Sequence, residues 1–161
     1  MALQPDQIAE RLSELEKLCR QQGLPLTVQR RVVLQEVLEH DDHPTADQIL
    51  EAVKDRVPGI SRTTVYRSLD KLADMGLIRR LHHAGASSRF DGRTHRHHHL
   101  ICKVCSKVID LEDQKLDRTR VSHVSNKGFD VEDFSIHLIG TCSECRRAAE
   151  DSGPTGRLAR Q

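Results

Sequence analysis

Residues 60–78 read ISRTTVYRSLDKLADMGLI, a helix with two unlike faces. Ser61 is a suitable N-cap, Val65, Leu69 and Leu72 recur at helical spacing, and Gly76 is the glycine that commonly closes a helix. Opposite that stripe stand Arg62, Thr63, Thr64, Tyr66 and Arg67, all able to hydrogen-bond to phosphates or base edges. A plain solvated face is the alternative reading.

Three helices are expected before this one. Ile8, Leu12, Leu15 and Leu18 or Cys19 make a helical stripe ended by Gly23-Leu-Pro25. Thr27 can cap a second helix carrying Val28, Val32, Leu34, Val37 and Leu38 up to the polar turn HDDHP at 40–44. Thr45 and Gln48 form a capping box for a third, stopped by Val57-Pro58-Gly59. After the fourth helix, strand candidates at 77–81 (LIRRL) and 87–90 (SSRF) flank the turn HHAGA. A helical group followed by a wing bearing Arg79, Arg80, Arg89, His82 and His83 is the pattern of a winged helix-turn-helix, whose recognition helix enters the major groove.

Beyond Asp91-Gly92 the character changes to HHLIC, KVIDL, an amphipathic helix over about 112–127, and FDVEDFSIHLIGTC. The expected class is α+β: a winged-helix domain over 1–91, a hinge at about 91–95, and a small α/β domain over 96–147. The Gly/Pro-rich tail at 148–161 is expected to be disordered.

Composition excludes several functions. Basic and acidic side chains number 25 and 24, so DNA binding has to come from local clustering. With no Trp, one Tyr and only Phe90, Phe129 and Phe134, base stacking on aromatic platforms is disfavoured. MALQPDQIAERL has no apolar signal region, and no stretch has the length of a membrane span, so a soluble cytoplasmic protein is expected. In a reducing compartment, paired cysteines favour metal over disulfide.

Cys102-x-x-Cys105 and Cys142-x-x-Cys145 each offer two thiols from a tight turn, the arrangement that lets four sulfurs meet on tetrahedral Zn²⁺; redox thiols are the alternative. Such a site would be structural and would staple a small domain. Cys19 falls on the apolar face of the first helix and is assigned to packing. In THRHHHLICKVC, residues 94–105, the strand period of two places His97 and His99 on one face and His98 on the other.

The helix at 60–78, then RFD, HHHLICKVC and CSEC, in that order over residues 20–146, resemble the ferric uptake regulator (Fur) family of metal-dependent repressors. The resemblance implies a homodimer on an inverted-repeat operator in double-stranded DNA, with Tyr66 and Arg67 among the DNA contacts and the second domain supplying the dimer interface. It also implies a regulatory metal site at His43, Asp91, His97, His99 and Asp110. Three imidazoles and two carboxylates without thiolate suit Fe²⁺ or Mn²⁺, with Zn²⁺ or Ni²⁺ able to enter. Simpler readings stand beside these: His43 and Asp91 as turn residues, Asp110 as the cap of a helix starting near Leu111.

Asp110 resembles the peroxide-sensing (PerR) branch of that family. This implies an Fe²⁺ site that reacts with hydrogen peroxide by Fenton chemistry, oxidises His43 or His97 to 2-oxo-histidine and releases DNA. The protein would be a consumed sensor, not an enzyme. The alternatives are iron- or manganese-responsive repression without peroxide sensing, a metal-dependent hydrolase or nuclease drawing on Glu112 or Asp113, and a zinc-ribbon interaction module. Arg96, His98, Asp117 and Phe134 stand where the family's further metal site would have ligands, so that site is not carried over. No cysteine except Cys19 is left for a zinc-sensing site. His98 is read as solvent-facing or as a support for its neighbours, and His82, His83, His95, His123 and His137 receive no role.

Overall fold

The computed structural model describes residues 3–81, 87–119, 127–128, 130–131 and 133–151. The chain divides into two units, Met1–His95 and Arg96–Gln161.

In the first unit α1 (Pro5–Gln21), α2 (Val28–Glu39), α3 (Ala46–Val53) and α4 (Arg62–Asp74) precede β1 (Arg79–Leu81) and β2 (Arg89–Asp91). α2 packs against each of the other helices. Its Val33, Leu34, Val37 and Leu38 are buried with Leu15, Cys19, Ile49, Val53, Val65, Leu69 and Leu72. The helix starts form where polar side chains satisfy the first orphan amides. The Thr27 hydroxyl accepts from the Arg30 amide, Thr45 and Gln48 bond reciprocally, and Ser61 accepts from the Thr64 amide. Each such cap contributes about 1 kcal/mol. Gly76, at φ +71°, turns the chain out of α4 in a conformation that side-chain-bearing residues rarely adopt. β1 and β2 then pair antiparallel, Arg80 opposite Phe90. The wing strands are shorter than the apolar pattern suggested, and the turn at 82–86, with His82 and His83, lies outside the described residues.

In the second unit β3 (His98–Cys102) is the middle strand, antiparallel to β4 (Val108–Leu111) and parallel to β5 (His137–Gly140). Registration puts Asp110, His99 and His137 in one row across the sheet, and Ile109, Leu100 and Leu138 in the next. Alternation then gives the two rows opposite faces.

Two expectations need correction here. The helix expected over 112–127 covers only Gln114–Asp117 (α5) before the chain turns out at Arg118; residues 120–126, with His123, lie outside the described residues. Its cap is Asp113, whose carboxylate accepts from the Lys115 and Leu116 amides, so Asp110 in β4 is not a capping residue. The expected disordered tail begins too early, because α6 (Ser143–Asp151) runs through its first residues. α6 starts on the cysteine hook itself: the Cys145 amide donates to Cys142 Sγ (3.5 Å) and the Arg146 amide to the Cys142 carbonyl (3.0 Å). Residues 152–161 lie outside the described residues.

Candidate metal centres and DNA-binding face

Cys102 ends β3, Cys105 follows in the tight turn closed by Ser106 at φ +59°, and Cys142 and Cys145 sit at the start of α6. The four sulfurs lie within 4.8 Å of one another, and Cys105 and Cys142 are 3.8 Å apart. Sulfurs at ~2.3 Å from a tetrahedral zinc are ~3.8 Å apart, so the cage has the size zinc requires. Backbone amides of Cys105 and Cys142 hold the Cys102 thiol down to about 6, as donors aimed at a thiolate do. The Cys145 thiol is pushed up to about 12, chiefly by its hydrogen bonds to Cys105 and Cys142. Crowded thiols ionise one at a time; a divalent metal removes that penalty by binding all four as thiolates. Lys107 and Glu144, 2.9 Å apart, link the chain beside the first hook to α6 beside the second.

Harder donors gather separately within each unit. In the first, His43 Nε2 is 3.8 Å from Asp91 Oδ1, and both side chains are buried. In the second, His97 Nε2 and His99 Nε2 stand 3.4 and 3.9 Å from Asp110 Oδ1, with the two imidazole centroids 4.6 Å apart. These gaps exceed ordinary hydrogen bonds and approach the ~3.0–3.5 Å between two ligands that share a metal at ~2.1 Å. Both donor groups therefore fit a divalent ion.

The loop carrying His43 is held by residues that the sequence reading had placed elsewhere. His43 adopts φ +53°, unfavourable for a side-chain-bearing residue by roughly 1–2 kcal/mol. Arg89 donates to the His43 carbonyl at 2.9 Å, the Phe90 amide to the Pro44 carbonyl at 3.0 Å, and Thr45 bridges to Arg89. At the loop's other end His40 lies between Glu36 (2.9 Å) and Asp42 (3.1 Å). Arg89 thus braces the His43 loop, and Arg80 pairs with Asp70 while lying over the Phe90 ring; neither is a free wing cation. Arg89→Ala is expected to weaken binding of the hard metal about tenfold while the zinc stays bound, measured by Mn²⁺ titration; unchanged affinity would remove the brace from the account.

Of the two expectations for His98, solvent-facing or supporting its neighbours, the first is corrected, because the side chain is fully buried. Its Nδ1 accepts from the Ile136 amide at 3.2 Å, which leaves the proton of the neutral ring on Nε2, 3.4 Å from Asp117 Oδ1. Its ring stacks on Phe134, over which the Arg96 guanidinium lies 4.8 Å from the ring centroid, bonded to Asp133 at 2.8 Å. Arg96, His98, Asp117 and Phe134 are thus brought together as a packed cation and aromatic group.

On α4, Arg62, Thr63, Tyr66 and Arg67 are exposed and Thr64 is half-buried, while Val65, Leu69 and Leu72 are fully buried. Arg62 pairs with Asp47 at 3.2 Å. Thr63, Thr64 and Arg67 line a groove with Thr27, Gln29 and Arg30 from the start of α2.

Residues 21–139 match the family model described as "Ferric uptake regulator family". The chain belongs to this family. The peroxide-responsive repressor PerR of Staphylococcus epidermidis is 34% identical over 148 residues, covering 91% of this chain and 97% of that protein. Among solved structures, the Helicobacter pylori ferric uptake regulator Fur superposes with a TM-score of 0.75 over 86% of this chain and 93% of that one, at 21% identity. A zinc uptake regulator complexed with zinc and DNA superposes with a TM-score of 0.63 over 89% of this chain and 97% of that one, at 25% identity. As a Fur-family protein the chain is a metal-responsive transcriptional regulator, not an enzyme. Regulators of the family bind DNA as dimers, and no helix among the described residues is long and apolar enough to cross a membrane.

The sequence reading of this Fur-family chain missed the support of the His43 loop, because Arg89 and His40 carry no ligand spacing. Period two placed His97 and His99 on one face but said nothing of Asp110 or His137; strand order shows that both flank His99.

Proposed function

We propose that this regulator is a peroxide-sensing repressor. One hard divalent metal is held by His43 and Asp91 from the first unit and by His97, His99 and Asp110 from the second, and Cys102, Cys105, Cys142 and Cys145 hold structural zinc. The observation that carries the reading is the donor set: buried imidazoles beside carboxylates at ligand spacing, with no thiol among them. Such a set favours Fe²⁺ or Mn²⁺. Residues of both units in one coordination sphere give the metal a higher affinity for the closed form, and that difference in affinity is what shifts the population toward DNA binding.

The dimer then presents two α4 helices to an inverted-repeat operator, with Arg62, Thr63, Thr64, Tyr66 and Arg67 toward the DNA, at half-sites about 34 Å apart. Dimerisation uses the second unit, whose Leu100, Ile109 and Leu138 form an apolar row that is 37–44% exposed. Leu138→Glu is expected to shift the protein to monomer in gel filtration with zinc retained; an unchanged dimer would place the interface elsewhere.

Support for peroxide sensing comes from Asp110 and from the PerR relatives. With iron bound, the site supplies one-electron reduction of peroxide. The net change at His43 or His97 is replacement of an imidazole C–H by C–O, with one H₂O₂ consumed and one water released. The altered ring is a poorer ligand, so closure and DNA binding are lost together. His43→Ala tests the coupling: metal-dependent operator binding should disappear while zinc content is unchanged, and retained metal dependence would contradict it.

A further inference from the structure

We infer that His137 is an additional metal donor, forming with His97, His99 and Asp110 a loading site contained wholly in the second unit. The proposal rests on the reading of His97, His99 and Asp110 as ligands, and adds a residue that this reading does not use.

Strand registration is the first observation. His99 is directly opposite Asp110 on β4 and His137 on β5, so the three side chains form one row on one face, and His97, two residues before His99 and just ahead of β3, has its ring 4.6 Å from that of His99. The opposite face carries the apolar row, so the polar donors are segregated onto a single side of the sheet.

Ring spacing is the second. Two imidazoles bound to one metal at ~2.1 Å and ~90–110° have centroids ~4.6–5.3 Å apart. His97 and His99 are 4.6 Å apart, and His99 and His137 are 5.3 Å apart with their planes at 79°. His137 therefore stands at co-ligand distance from His99, on the other side of it from Asp110.

Exposure is the third. His97 and His99 are buried, whereas His137 is exposed at the sheet edge and can turn about its side-chain torsions. An ion arriving from solvent meets this imidazole first. His97, His99, His137 and Asp110 would together offer it three imidazoles and a carboxylate without any donor from the first unit.

The test uses the full-length zinc-loaded protein carrying His43→Ala and Asp91→Ala, with Co²⁺ as the probe, followed by titration and visible absorption. The double variant should still bind one Co²⁺ beyond the zinc, and adding His137→Ala should weaken that binding at least tenfold and change the ligand-field spectrum. Zinc content and dimer state report that each variant has folded. If His137→Ala changes neither affinity nor spectrum in this background, the proposal is overturned while the five-ligand reading stands. If His97→Ala leaves Co²⁺ binding intact in the otherwise wild-type protein, the five-ligand reading itself fails.

Discussion

Replacing Cys142 with serine is expected to release the zinc, dissolve the dimer and weaken operator binding by on the order of 100-fold or more. The second unit has little else to hold it. Its buried apolar residues among those described are Ile101, Cys102 and Val108, beside three buried histidines, whereas the first unit has a continuous core across four helices. A structural Zn²⁺ contributes about 10–16 kcal/mol to the folding of small zinc domains, more than the usual net stability of a whole domain. Cys142 also begins α6, so serine there loses both a ligand and the sulfur that accepts the Cys145 amide. Cys19→Ser is the contrasting variant: Cys19 is buried in the helical core of the first unit and is not one of the four clustered cysteines, so zinc and dimer should persist. Zinc release by a colorimetric chelator, read beside gel filtration, separates the two; a zinc-free Cys142→Ser dimer that still binds operator would contradict the structural role.

His97→Ala should have the next largest effect. His97 is fully buried and faces Asp110, so truncation removes one donor and leaves a carboxylate facing a cavity. Loss of a ligand from a site of this kind lowers metal affinity by 10–100-fold or more, and a regulator that depends on the metal to close loses DNA binding in proportion. Operator binding by fluorescence anisotropy at fixed Mn²⁺ should therefore fall by about 100-fold, with one zinc per chain retained. Binding at wild-type strength would show that His97 is not part of the regulatory centre.

Much of this was legible before any coordinates. The caps at Thr27, Thr45 and Ser61 and the stripe of Val65, Leu69 and Leu72 announce themselves because helix signals are local. The cysteine pairs are likewise local, and twice-repeated spacing is hard to produce by chance. What was hidden depends on contacts distant in sequence. Nothing around residue 89 says that Arg89 will hold the carbonyl of His43, or that His137 will lie beside His99 through a parallel strand pairing. The solvent-facing alternative for His98 failed because alternation says that it faces away from His97 and His99, but not that the other face is occupied by Phe134 and Asp117. α6 was missed because the hook at Cys142 reads as a turn, while its sulfur serves as the helix start.

The measurement that bears most directly on the account loads the zinc-containing protein with Fe²⁺ or with Mn²⁺, adds hydrogen peroxide, and follows operator binding and peptide mass on the same samples. The iron form is expected to lose DNA binding as one oxygen appears on His43 or His97, and the manganese form to keep both its histidines and its operator. Unmodified histidines in an iron-loaded protein that stays on DNA would contradict peroxide sensing and leave a regulator that responds to metal alone.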